Sequence, residues 1–449
     1  MSRMTQFSRR RGERGQTIVL VAISIVSLLA MAALAIDVVT LYVARSEIQR
    51  AADAAALAGA KGIADSGITS LSSADLTGGN QPDIQNLARN MAVAAINAVI
   101  PNNPVGGSTP TLVLGSPTFN FNVATTSPVT SWQVTVALQQ SNLPTFFARI
   151  FGRTGATVTA SATAEAYNPA NSSPFTPIAP RCVKPLLIAN SNPRSGGTPF
   201  VDTTTGAINN QVTALTYDLT SDCCAPLASP PGSSFVSGTA RIQYVPAQVT
   251  PNPANVCSSS CSGTPYEQSI SCCDMNSYSY LSCGTSGNLQ WDTTINPGGA
   301  AGPSATAAEC LIHAISSGPG AGQDLLDRPI SWPASPMQIR AQSGPQSGNL
   351  VSTSSSVVTM PIVDTRPGIF PLGGGAVPIV GFMQAFIDCV EDIGPIGTPC
   401  EQPVGTSRTG GDISVTVLNI VGCSSSPNAA TPIVGNGTAP IPVRLITAP

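Results

Sequence analysis

The side chains able to do chemistry are few and unevenly placed. Twelve cysteines, all in the stretch from Cys182 to Cys423, accompany a single histidine, His313. They are Cys182, Cys223, Cys224, Cys257, Cys261, Cys272, Cys273, Cys283, Cys310, Cys389, Cys400 and Cys423. An even number confined to one region fits a disulfide framework in an oxidising compartment. Zinc is the competing use of thiolates, but no Cys-x-x-Cys pair occurs and one histidine leaves only sulfur as a soft ligand. Bridges are therefore expected and a metal is not. The adjacent pairs Cys223–Cys224 and Cys272–Cys273 are expected to bond outward, because a bridge between neighbours is strained.

One histidine also excludes most acid–base schemes. His313 lies in the apolar, helical-looking stretch 308–315 (AECLIHAI) and reads as a structural residue. Cys310, one helical turn away, is expected to be bridged rather than to act as a nucleophile. There is no Gly-x-x-x-x-Gly-Lys phosphate loop and no Gly-x-Ser-x-Gly elbow. Gly373-Gly374-Gly375 lacks the strand–loop–helix setting of a nucleotide site. The acids Glu391-Asp392 and Asp324/Asp327 read as surface pairs, since nothing fixes the separation a glycosidase needs. No catalytic residue, metal or cofactor is expected, so the chain reads as a non-enzyme. Any small-molecule ligand stays open.

What must be positioned, then, is surface rather than chemistry. Charged residues are 10% of the 449, against about 25% in an average soluble domain. Residues 1–16 hold five arginines and one glutamate, net +4, while the remainder holds 15 basic and 22 acidic side chains, net −7. A basic head on an acidic body indicates membrane orientation and no nucleic-acid partner. Thr17 to Ile36 (TIVLVAISIVSLLAMAALAI) has no charge, proline or glycine. Twenty such residues make about 30 Å of helix, the thickness of a hydrocarbon core. Arg9, Arg10, Arg11 and Arg14 precede it, so the N-terminus is expected in the cytoplasm and the bulk of the chain outside. A cleaved signal peptide is the alternative, with Ala33-Leu34-Ala35 as its cleavage pattern. The length of the run and the missing helix breaker favour a retained anchor.

The helical pattern continues past the membrane. Leu34, Asp37, Leu41, Ala44, Ile48, Ala51, Ala55 and Ala58 follow spacings of three and four, one face of a helix. Small residues also recur every fourth position at Ala51/Ala55/Gly59 and Ala52/Ala56/Ala60, which permits close backbone approach. The stretch reads as a stalk ending near Lys61-Gly62. Periodicity leaves two uses open: packing on another subunit, or on the chain's own domain. Asp37 could pair with a partner's cation, or could end the span as a charge at the interface.

A second helix is expected over 85–100, closed by Pro101. Strands are expected at 111–114, 131–138 and 156–167, with a short helical piece at 144–151 ending at Gly152. Beyond a linker at 168–180 (NPANSSPFTPIAP), short apolar strands sit in Ser/Thr/Gly/Pro loops, clearest at 356–363, 413–421 and 443–446. The run 376–390 is apolar but too short for a second span. The stretch 257–283 reads as stapled loop. The fold class is α+β: basic head 1–16, transmembrane helix 17–36, α+β module with stalk 37–167, linker 168–180, and a disulfide-stapled, β-rich domain 181–449.

Three blocks carry a family resemblance: Arg14-Gly15-Gln16 before the apolar run, Ala35-Ile36-Asp37-Val38 with Leu41-Tyr42-Val43-Ala44, and 49–60 (QRAADAAALAGA). They resemble the N-terminal module of TadE/TadG-like Tad (Flp) pilus-assembly proteins, with a weaker likeness at 143–152 and 158–166. The resemblance implies a single-pass protein of the bacterial inner membrane, whose partners are the membrane and other Tad or pilin-like subunits packed along the stalk. Two departures stand out. Leu20 occupies the place where prepilins carry glutamate, which argues against prepilin-type processing. The Asp-x-Ser-x-Ser metal motif of larger TadG proteins has only a strand-like echo at Asp412-Ile413-Ser414-Val415-Thr416. An exported binding or enzymatic ectodomain on a pilin-like anchor, or a surface adhesin, is the alternative function.

Overall fold

A computed structural model of the chain describes residues 13–70, 81–121, 132–152, 155–168, 178–209, 212–221, 240–249, 263–272, 286–295, 297–312, 324–327, 338–342, 347–351, 354–390, 412–423, 433–434 and 441–446. The first helix, α1 (Glu13–Asp65), runs 53 residues without a break, about 80 Å of helix. It contains no proline, and its alanine-rich second half loses little side-chain entropy on ordering. The helix passes the expected stop at Lys61-Gly62. Gly62 serves a close crossing instead: a Cβ there would lie 2.8 Å from the Cα of Ala92, in the second helix, α2 (Gln81–Val99). Termination comes at Asp65, bonded by Lys61 Nζ at 2.7 Å, and Gly67 then turns the chain at φ +76°. Two shorter helices follow, α3 (Pro265–Ser271) and α4 (Pro297–Leu311).

The early strands are β1 (Thr111–Leu112), β2 (Thr118–Phe121), β3 (Trp132–Pro144) and β4 (Gly155–Ala166). Next come β5 (Ile178–Ala179), β6 (Leu186–Ala189), β7 (Thr216–Thr220), β8 (Arg241–Pro246) and β9 (Ser286–Trp291). Then follow β10 (Leu325–Asp327), β11 (Gln338–Arg340), β12 (Leu350–Val351) and β13 (Val357–Val363). The last are β14 (Gly375–Val390), β15 (Ile413–Gly422), β16 (Ile433–Val434) and β17 (Val443–Ile446).

The first sheet is antiparallel. β3 lies between β4 on one side and β1 and β2 on the other, and β17 closes the far edge of β4. Period-2 alternation in β3 turns Trp132, Val134, Val136 and Leu138 inward, where α1 covers the strand and α2 packs on α1. The result is the expected α+β layer, with one addition. Val443–Ile446, read from sequence as part of the 181–449 region, is an edge strand of this sheet, anchored by Arg444 Nε to Glu165 Oε1 at 2.6 Å.

In the second sheet β13, β6, β8, β7, β15 and β14 pair in that order, and β14 pairs back to β13, so the ring of six closes. β9 extends it at the start of β14. Every residue of β13 and β15 is buried, so neither face of these strands alternates with solvent. The 376–390 run is thus the barrel's longest strand, with a register shift at Pro378, as proline requires in a ladder. Within 257–283, read as loop, the described part holds α3, started by a capping box between Thr264 and Glu267.

The two sheets share one buried core running from Ala44 to Ile441. A 3-10 turn after α1 (Ile68–Ser70) sits on β15. Ser70 Oγ donates to the Ile420 carbonyl at 3.0 Å and accepts from the Ile420 N–H at 2.9 Å. Asn168 Nδ2, also on that carbonyl at 3.0 Å, reaches Thr69 O as well. Five cysteines are described: Cys182, Cys272, Cys310, Cys389 and Cys423. The other seven of the twelve lie outside the described residues, as does His313.

Candidate functional site

Two surfaces of α1 differ sharply. From Ile18 to Ile36 its apolar side chains stand bare around the helix, only Ala33 being half-buried, and on one side the bare surface continues through Val38, Val39, Tyr42 and Val43; Ile18 is 70%, Leu29 65% and Tyr42 75% exposed. A core helix of a soluble fold would bury this stripe. This is the one described helix long and apolar enough to cross a membrane. Beyond it, Ala44, Ile48, Ala51 and Ala55 are buried within the chain itself, against α2 and the first sheet. Leu41 and Ala58 are partly buried on the same face. The periodic face expected to bind another subunit is therefore occupied by the chain's own α2, β3 and β4. Burying methyl groups there continues the hydrophobic core, and the small residues let the layers close.

Asp37 begins that inward face. Its side chain is almost fully covered, 3% exposed at the residue level. Oδ1 accepts the N–H of Phe146 at 2.9 Å, and Oδ2 accepts those of Phe147 at 3.0 Å and Ala148 at 2.7 Å. These are free amides at the start of a 3-10 turn, Ala148–Phe151, whose own N-cap supplies no side-chain bond. Asp37 thus caps a turn some 110 positions away, as an N-cap carboxylate does locally. Its carboxylate is turned into the chain, away from solvent. The turn ends at Gly152, left-handed at φ +79°, where the sequence placed its stop. The phenyls that Asp37 holds, Phe146 at 61% and Phe147 at 36% exposed, point outward. Sequence reading missed them as a surface, although the adjacent pair in Pro144-Thr145-Phe146-Phe147 was visible.

Other candidates are engaged structurally. Asp324 accepts Ser354 Oγ at 2.5 Å, and Asp327 pairs with Arg340 at 3.0 Å. Asp412, from the metal-like string, is bound by Arg241 at 2.6 Å. Burial pushes its carboxyl above the usual carboxylate range, and Arg241 offsets part of that. No metal-holding cluster occurs among the described residues. At one end of the barrel, Leu186, Val358, Met360 and Val415 line a cavity of about 10 Å³, room for about one water. Lys184 beside it donates to the Cys272 carbonyl at 2.7 Å. Glu391 and Asp392, with Arg9, Arg10 and Arg11, lie outside the described residues, and Arg14 falls in α1.

The class these features define is a protein with one long N-terminal helix, bare and apolar at its start and built into an α+β fold at its end. Residues 15–62 match the Flp pilus-assembly TadE/G-like family. The match covers the bare stretch, Asp37 and the alanine block together. No curated protein and no solved structure matches the chain.

Proposed function

We propose that the protein is a non-enzymatic, membrane-anchored subunit in the assembly of a Tad/Flp-type pilus. In this reading Thr17–Ile36 spans the bacterial inner membrane once, the basic head faces the cytoplasm, and the ectodomain is extracytoplasmic. The observation that carries it is the unbroken α1, which leaves the apolar stretch and enters the core without a joint, inside the segment matching the pilus family. Because the stalk face is occupied internally, contact with other subunits falls to the exposed surface of the span. Retention of the anchor is supported by the same continuity: cleavage after Ala35 would cut α1 just before Asp37, the residue that caps the 148–151 turn. Bridging in the ectodomain is supported by the five described cysteines, which take part as disulfide sulfurs rather than free thiols.

Deletion of the gene in its host, scored for surface pili, tests the reading. Loss of pili, restored by the full chain but not by the same ectodomain on an unrelated span, is expected. Normal piliation in the deletion strain would overturn it.

A further inference from the structure

The apolar surface of α1 is longer than a bilayer's hydrocarbon core. On the side that stays bare past Asp37 and Leu41 it runs from Ile18 through Val43, 26 residues, about 39 Å of helix, against about 30 Å of hydrocarbon and 40–45 Å including headgroups. The excess lies on the ectodomain side, at Val38, Val39, Tyr42 and Val43, all exposed. At that same level Asp37 grips the backbone of Phe146 and Phe147, fixing two exposed phenyls beside the helix. Just beyond, the surface changes character: Arg45 on α1 and Arg149 on the pinned turn are both exposed.

We infer that this base of the ectodomain is a lipid-binding surface, with Phe146 and Phe147 inserted at the headgroup–acyl boundary of the bilayer that α1 crosses. The inference rests on the membrane-anchor reading of α1. Lipid is the occupant because the patch is continuous with the span's bare apolar surface and ends in cations, as interfacial segments do. Phenyl groups at this boundary bury apolar area, while Arg45 and Arg149 reach phosphates above it. The three hydrogen bonds to Asp37 remove the freedom that would otherwise let the loop lift away. The ectodomain would then stand against the membrane rather than swing on its helix.

The test uses the full chain in vesicles of phosphatidylcholine and phosphatidylglycerol, with single variants Phe146→Trp and Leu28→Trp. Tryptophan emission is read against acyl-brominated lipids and aqueous iodide, after subtracting the parent protein with Trp132, Trp291 and Trp332. Both variants are expected to emit blue-shifted light and to lose intensity to brominated lipid, Leu28→Trp to deep bromines and Phe146→Trp to shallow ones. Quenching of Leu28→Trp alone, with Phe146→Trp open to iodide, overturns the lipid surface and leaves the anchor standing. Blue-shifted Phe146→Trp emission insensitive to both quenchers also overturns it, in favour of a protein neighbour. Failure of Leu28→Trp to be quenched overturns the anchor itself.

Discussion

At the scale of single residues, the decisive side chain is Asp37, and it works through backbone amides. Losing its carboxylate leaves three N–H groups at the start of the 148–151 turn without acceptors. Asp37→Ala is expected to lower Tm of the detergent-solubilised protein and to open the 144–152 segment to proteases, with Asp37→Asn intermediate. Unchanged proteolysis in both variants would contradict the capping role. A second residue-scale test concerns Asp412. Its folded pKa is raised by burial, so its ionised form costs stability, and stability falls as pH rises from the ordinary carboxylate value, about 4, through the raised one. Arg241 limits that loss. Arg241→Met should therefore push the window upward, costing more stability at pH 7 than at pH 3, below the ordinary carboxylate value, where little of the charge that Arg241 offsets is present. Equal losses at the two pH values in denaturant melts would refute this. Neither role was legible in the sequence: the partners of Asp37 are amides some 110 positions away, and Arg241 lies 171 positions from Asp412.

At the scale of elements, α1 was the most legible part, because an apolar run and a period of three and four write themselves into a linear sequence. What periodicity could not say was what lay against the face. The structure places α2, β3 and β4 there, so Ala51 and Ala55 are core residues. Ala51→Leu and Ala55→Leu should each destabilise the fold by about 1–3 kcal/mol through overpacking, read as a lower denaturation midpoint. An unaltered midpoint together with lost binding to another subunit would restore the intersubunit reading. The strands of the first sheet were readable from alternation, since one face meets helices and the other is partly wet. Two barrel strands were readable too: β13 and β15 fall on the expected 356–363 and 413–421, as short apolar runs bounded by turn residues. Their closure into a barrel was not, because strands buried on both faces carry no alternation to orient them, and β14 showed only as an apolar run too short for a span. A short helix such as α3 was also lost among cysteines and serines.

At the scale of the whole molecule, the chain is organised along α1. In the proposed reading its bare start meets lipid; its middle carries Asp37 and the two phenyls, and its end docks through Ser70 and Asn168 on the barrel strand β15. β17 then returns to close the sheet beside α1. These long-range closures join segments more than 250 positions apart, which is why a linear reading divided the molecule near 168–180. All of it depends on α1 persisting as one piece in the mature protein. The most direct measurement is the intact mass and N-terminal sequence of the protein purified from membranes without reductant. A mature chain that retains Thr17–Ile36 is the expected result. A chain beginning at Ile36 would make the apolar run a removed signal, and would contradict the anchored helix on which the account rests.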